Sequence, residues 1–311
     1  MTYVEYINRK IRANVSMAGK VVIYGQNVAA GSCVSGLAKG LKNEKNAVVL
    51  NTVNAENTLV GVGFGLLLNG VSSLFIMKQL DFLLLGVDQL VNTYNILRGM
   101  SPKASFSIVA AIVDSGYEGP QSCLNSLADF CALTRVPGYT VATRQDADDV
   151  FDNRLFETGV RIICVSQRLF KSDMPDTEAD VLVHRSGIQQ HALGRVATIA
   201  SFNFAFPQAR DIWKSVCAQG RTASLYNVNA VLADDWTEVM NDAARTGTLL
   251  IVDDSRSYSR PGDRLLAAVS QRDKSVRIIS VGREFSEHWY QPSSDVMAVD
   301  VPALMHKLDK G

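Results

Sequence analysis

Apolar positions in this chain come in short continuous runs separated by segments of helical period. Val21-Val22-Ile23-Tyr24 is the first such run. Four apolar residues in a row, without polar alternation, suit a strand covered on both faces, as a parallel sheet requires. Ahead of it, Val4, Ile7 and Ile11 recur at helical spacing behind a T-x-x-E capping box of Thr2 and Glu5, and Gly19 ends the helix. The alternation then repeats. It predicts a helix around 34–41 and a strand at 47–50, a helix over 55–68 with Asn54 as its N-cap, and a strand at 73–77. A long helix over 83–98, a strand at 107–113 and shorter strands near 139–142 and 161–165 follow. Strands that alternate with helices predict parallel α/β layers.

The stretch 171–194 breaks the rhythm. It carries Asp173, Pro175, Asp176, Glu178 and Asp180 and reads as a connection with one edge strand. A second alternation follows, with strands at 196–200, 222–228, 249–252 and 276–281 and helices at 208–218, 236–244 and 263–269. The expected architecture is therefore α/β: a parallel-sheet domain over 1–175, a connection over 176–193, and a smaller α/β domain over 194–311. A length of 311 residues is enough for two such cores.

Composition narrows the function classes. Apolar residues make up 47% and charged residues 20%, a globular balance. Lys and Arg total 31, as do Asp and Glu, so no basic excess points to nucleic acid. No apolar stretch reaches the ~18–20 residues of a membrane span, and the N-terminus lacks the apolar core of a signal peptide. The five cysteines form no C-x-x-C pair, and the four histidines lack metal-ligand spacing. A reducing cytoplasm and no protein-held metal are the expectation.

The densest chemical signal is Asn51-Thr52-Val53-Asn54-Ala55-Glu56-Asn57, running into Leu59-Val60-Gly61-Val62-Gly63-Phe64-Gly65. Glu56 falls in the first helical turn at the carboxyl edge of the sheet, where open α/β folds bind ligands. By itself such a carboxylate can simply complement the helix dipole, worth ~0.3–1 kcal/mol. The G-x-G-x-G spacing lies inside a helix rather than at a strand-to-helix turn, so it is a packing feature and not a dinucleotide fingerprint.

These residues carry a resemblance. Val22-Ile23-Tyr24-Gly25-Gln26-Asn27-Val28-Ala29, Asn51-Thr52 through Gly65, Asp81-Phe82 with Asp88-Gln89-Leu90-Val91-Asn92, and Val136-Pro137-Gly138-Tyr139-Thr140-Val141 resemble, in order and spacing, the beta subunits of 2-oxo acid dehydrogenases. Residues 194–252 resemble that family's last domain, and transketolase shares both modules. The resemblance implies a pyrimidine-binding domain followed by a transketolase C-terminal-like domain, and thiamine diphosphate as cofactor. It implies that Glu56 meets the ring nitrogen of the cofactor's aminopyrimidine and that Phe82 packs on that ring, although a plain core role suits Phe82 equally. Asn27 falls in a loop near the cofactor where an acid is common in relatives, or simply closes that loop. Lys78 and Gln79 stand where an apolar wall is usual, which implies an altered pocket with Gln79 among its residues.

Two departures qualify the implied chemistry. The family's loop histidine is missing, and Ser122 stands nearest its place; Gln121 or Glu118 could bind substrate instead. The G-D-G…N signature of the diphosphate site is also missing, which implies that an alpha-type partner holds the diphosphate and its Mg2+ in an α2β2 assembly. The implied reaction is decarboxylation of a 2-oxo acid with acyl transfer. Ketol transfer to a sugar by a split transketolase-like enzyme, or a non-catalytic structural or regulatory role, are the alternatives.

Overall fold

The computed structural model describes residues 1–116, 118–122, 124–176, 181, 183–185, 187–283 and 297–309, with backbone alone at 183–185 and 309. Tyr117, Cys123, Glu178, Asp180 and His288 lie outside the described residues. The predicted α/β class holds. Six strands form the first sheet: β1 (Val21–Gly25), β2 (Ala47–Asn51), β3 (Ser72–Met77), β4 (Ser105–Ile112), β5 (Gly138–Val141) and β6 (Gly159–Ser166). All are parallel, in the order β2-β1-β3-β4-β6-β5.

The unbroken apolar runs are explained by what covers the sheet. Along β3, Leu74 and Ile76 enter the core under α1 (Tyr3–Met17) and α5 (Arg144–Asn153). Phe75 and Met77 enter the core on the opposite face, under α2 (Glu56–Leu68), α3 (Val87–Leu97) and α4 (Leu127–Thr134). β4 and β6 alternate in the same way, so both faces of the central strands are dry. The edge strand β2 is less covered, with Val48 and Leu50 exposed.

The second sheet holds β7 (Val183–Arg185), β8 (Ile188–Ala192), β9 (Thr198–Phe202), β10 (Ser224–Val228), β11 (Thr248–Asp253) and β12 (Arg277–Gly282). Their order is β12-β11-β9-β10-β8-β7. Helices α7 (Thr237–Thr246) and α8 (Pro261–Arg272) cover one face, while α6 (Phe206–Ala218) and α9 (Val301–Asp309) pack in the core that continues from the first sheet. Where the sequence predicts one edge strand, the chain makes two: β7 and β8 form a hairpin whose β8 pairs antiparallel with β10.

Three further expectations change. The helix at 34–41 is not formed; short 3-10 turns at Val34–Gly36 and Leu41–Asn43 replace it. Cys33, Val34, Ser35, Gly36 and Gly40 all have positive φ, and a left-handed backbone cannot continue a right-handed helix. The helix expected from residue 83 begins at Val87, after a 3-10 stretch over Leu80–Gly86. Asn54 does not cap α2; Ala55 holds the N-cap position with no side-chain bond. The Thr2–Glu5 capping box forms as predicted.

A polar seam joins the two sheets. The Asn229 carbonyl accepts from the Thr140 N–H (2.8 Å), and the Gly138 carbonyl accepts from Val231 N–H (2.9 Å), making a β-bridge between β5 and the chain after β10. Beside it, fully buried Asp146 accepts from the amides of Asn227 and Asn229 and from the Ala142 and Thr143 N–H groups. Asp254, also fully buried, accepts from Asn203, Phe204 N–H and Arg168.

The glycines of α2 separate into two kinds. A Cβ on Gly63 would lie 2.3 Å from the ring of buried Phe106, whereas nothing lies within 4 Å of one on Gly65. Gly63→Ala is therefore expected to destabilise the chain by about 1–3 kcal/mol, and Gly65→Ala to stabilise it by about 0.5–1 kcal/mol. Urea unfolding of the two variants against wild type checks both signs.

Candidate functional site at the carboxyl edge of the first sheet

The chain leaves β1 toward β2 on one side and later returns to β3 on the other. The loop leaving β1 and the loop leaving β3, which runs on to β4, therefore part, and such a switch point is where open α/β sheets hold ligands. Gly25 ends β1 at φ 149°, and a Cβ there would meet the Ile76 carbonyl at 2.2 Å, so only glycine lets the loop turn out beside β3. The loop after β2 is fastened to this point: Thr52 N–H donates to the Gly25 carbonyl (3.0 Å) and Ala29 N–H to the Asn51 side chain (2.7 Å). The buried Tyr24 hydroxyl donates to the Leu59 carbonyl at 2.9 Å, which fixes the first turns of α2 over the sheet. Tyr24 also stacks on Phe75, with ring centroids 5.1 Å apart.

Glu56 opens α2 and lines a small recess with Gln26, Leu59, Met77, Lys78 and Phe82. Half-buried, its carboxylate has no hydrogen-bond or ion-pair partner among the described residues. The recess measures about 20 Å3, room for one water rather than a ring. Of the residues singled out from the sequence, Glu56 and Phe82 meet here. Asn27 is exposed in the β1 loop at φ 55°, and its neighbour Gln26 supplies the recess wall instead.

Gln79, Gln121 and Ser122 meet one step away, in a network that holds the loop after β4. Gln79 is 3% exposed; its Oε1 accepts from the Ser122 hydroxyl (3.0 Å) and its Nε2 donates to Glu118 (2.8 Å). Glu118 also accepts from Gln167 Nε2 (2.6 Å). Gln121 Nε2 donates to the Asp81 carbonyl (3.1 Å), and Leu124 N–H to Asp81 Oδ1 (3.1 Å). The polar groups of Gln121 and Ser122 are thus engaged in pinning the loop to the segment after β3. Sequence reasoning missed Gln26 and the double amide clamp on Glu118; the signal for Gln26 was its place directly after the glycine that ends β1. Among the described residues no three His, Cys, Asp or Glu side chains gather as a metal site. No helix there is long and apolar enough to cross a membrane.

No protein-family model matches the chain. It is 21% identical to the mitochondrial pyruvate dehydrogenase E1 component subunit beta of Dictyostelium discoideum, over 87% of this chain and 78% of that one. It is 20% identical to the beta subunit of acetoin:2,6-dichlorophenolindophenol oxidoreductase of Cupriavidus necator, over 86% and 82% of the two chains. It is likewise 20% identical to the 2-oxoisovalerate dehydrogenase subunit beta of Bacillus subtilis, over 87% and 84%. The resemblance to beta subunits holds. A solved split gene transketolase, described as an inactive beta4 tetramer, superposes with a TM-score of 0.72 at 16% identity, over 99% of this chain and 93% of that one, and so shares the fold.

Asp81 makes the site's anchoring loop sensitive to pH. It is 2% exposed, its Oδ2 is enclosed without a partner, and burial pushes its pKa up to about 6, opposed in part by the Leu124 N–H. An acid whose folded pKa lies above its unfolded value contributes stability below that unfolded value and loses it as the pH rises through 6. Asp81→Asn keeps an acceptor for Leu124 and removes the buried charge. Its expected gain in stability is at most about 3 kcal/mol at pH 8, shrinking through pH 6 to nothing near pH 3.5. Melting temperatures across that range check it; a pH-independent difference would contradict the assignment.

Proposed function

We propose that this chain is the beta-type subunit of a two-component thiamine diphosphate enzyme that decarboxylates a 2-oxo acid and transfers the acyl unit. The observation that carries the reading is the unpartnered Glu56 carboxylate beside Phe82 at the switch point of the first sheet. A carboxylate and an aromatic face around one recess fit the edge of an aminopyrimidine: the acid exchanges a proton with a ring nitrogen, and the phenyl ring covers the apolar face. When bound, thiamine diphosphate supplies the carbon nucleophile and the electron sink. The chain's own residues hold and orient. Tyr24 fixes α2 and so the position of Glu56, while Gln79 and Asp81 anchor the loop that stands where relatives place a histidine.

A recess of 20 Å3 does not enclose a ring, and in this reading a second polypeptide forms the other wall. In this reading that wall is an alpha-type subunit, which also holds the diphosphate and Mg2+, and two such pairs form the α2β2 assembly. The outward face of α2 supports it, because Val62 and Leu68 stand 43% and 56% exposed there, apolar positions that a partner would cover. Residues 1–175 carry the pyrimidine side of the site and 194–311 the C-terminal domain.

The test is Glu56→Gln in the mixed subunits. The amide keeps the shape and loses the exchangeable proton, so turnover is expected to fall about 10²–10⁴-fold while circular dichroism stays unchanged. Full turnover in this variant would remove Glu56 from the chemistry.

A further inference from the structure

A cleft opens at the end of the first sheet opposite the Glu56 recess, where β4 and β6 begin, and the reading above does not use it. Its two adjoining parts measure about 400 and 320 Å3 and share Leu67, Leu97, Ser101 and Pro102 as walls. Spaces of this size hold small organic ligands. We propose that this cleft binds an amphiphilic carboxylate, with an acyl chain on its apolar floor and the acid head met by Arg98 and Lys103.

The floor is apolar and fixed. Leu67, Leu97 and Val160 belong to the buried core and turn an edge toward the cleft. Met100 stands at the rim 60% exposed, apolar surface that a bound chain would cover. The rim carries positive charge only. Arg98 and Lys103 are exposed and have no hydrogen-bond or ion-pair partner among the described residues, and no Asp or Glu among them lines either part. The Tyr94 hydroxyl on the wall is also unpartnered there and offers a neutral donor.

A third cation lies behind the wall. Arg161 is 3% exposed, and its guanidinium donates to Ser107 Oγ (3.0 Å) and to the carbonyl of Thr158 (2.9 Å), a residue of the cleft wall. Both partners are neutral. The acid that acts on it most strongly, Glu157, is held by Arg154 at 3.1 Å. A buried guanidinium without a carboxylate partner leaves its field uncompensated. Arg98 and Arg161 both favour the charged form of the Tyr94 phenol, so that field reaches the cleft.

Two helix ends oppose this charge and also select the head group. α2 and α3 finish at this edge, each with about half a negative charge. Capping N–H groups take up the Gly65, Leu66, Tyr94 and Leu97 carbonyls, and three full cations outweigh the two ends. Phosphate sites are built on helix N-termini, and a phosphate dianion would meet the wrong ends here. A carboxylate carries one charge and matches the guanidinium fork. The proposal does not rest on the identity of the cofactor.

Isothermal titration of the purified chain with octanoate at pH 7.5 is expected to show one site per chain. Affinity is expected to rise from butyrate to octanoate by up to about fourfold per methylene. Octanol is expected to bind about tenfold more weakly than octanoate, and octyl phosphate also more weakly. Arg98→Gln/Lys103→Gln is expected to erase the preference for acid over alcohol, with the far-ultraviolet spectrum unchanged. Absence of saturable octanoate binding, equal affinity for butyrate and octanoate, or an undiminished preference in the double variant would overturn the proposal. Tighter binding of octyl phosphate than of octanoate would overturn it as well. None of these outcomes touches the Glu56 test, which reads turnover of the mixed subunits.

Discussion

Everything on the functional edge of this molecule follows from one constraint, that β1 lies between β2 and β3. Parallel neighbours cannot be joined by a tight turn, so each connection must cross over a face of the sheet and come back. The loop leaving β1 runs to β2 and the loop leaving β3 runs to β4, on opposite sides, so the two part at the carboxyl ends of these neighbours. Glu56 opens α2, and Gln26 and Lys78 sit on the loops after β1 and β3, yet that geometry brings them to one recess. Local bonds then lock what topology has gathered: Gly25 allows the close turn, Asn51 ties two loops together, and Tyr24 pins the helix.

The molecule places several carboxyl groups in dry surroundings. Burial raises Asp81, Asp114, Asp146 and Asp253 each to about 6. What distinguishes them is the donors they meet. Both oxygens of Asp146 are filled by amide and backbone N–H groups, while one oxygen of Asp81 meets nothing. Asp146 is thus a structural acceptor at the seam, whereas Asp81 supports a loop beside the site with half its bonding capacity unused.

Much of the fold was legible because burial on both faces leaves a simple imprint. Continuous apolar runs such as Val21 to Tyr24 mark central strands, and Thr2 with Glu5 marks the start of the first helix. The region 34–41 misled because its apolar spacing is helical while Gly36 and Gly40 take left-handed φ, and Cys33, Val34 and Ser35 follow them there; a pattern of side chains does not report backbone handedness. The β7–β8 hairpin was half hidden, since its pairing with β10 is set by tertiary context and not by local propensity. At the site, Glu56 was legible from its place in the first helical turn after a strand, and its meeting with Phe82 only through the family resemblance. Lys78 was read only as a polar residue where an apolar wall is usual, and Gln26 was not read at all, because polar residues at strand ends are common and only the sheet order shows which of them converge. The asparagines of the seam, Asn227 and Asn229, carry no sequence signature, since their role depends on an acid some 80 positions away.

The bridge between β5 and the chain after β10 has a mechanical meaning. Two backbone bonds and a saturated buried acid cross the joint between the sheets, and a swing of one half against the other would strip all of them from their partners without water to replace them. The chain is consequently stiff across this joint. Any local opening on this edge is therefore left to the loops along the rim.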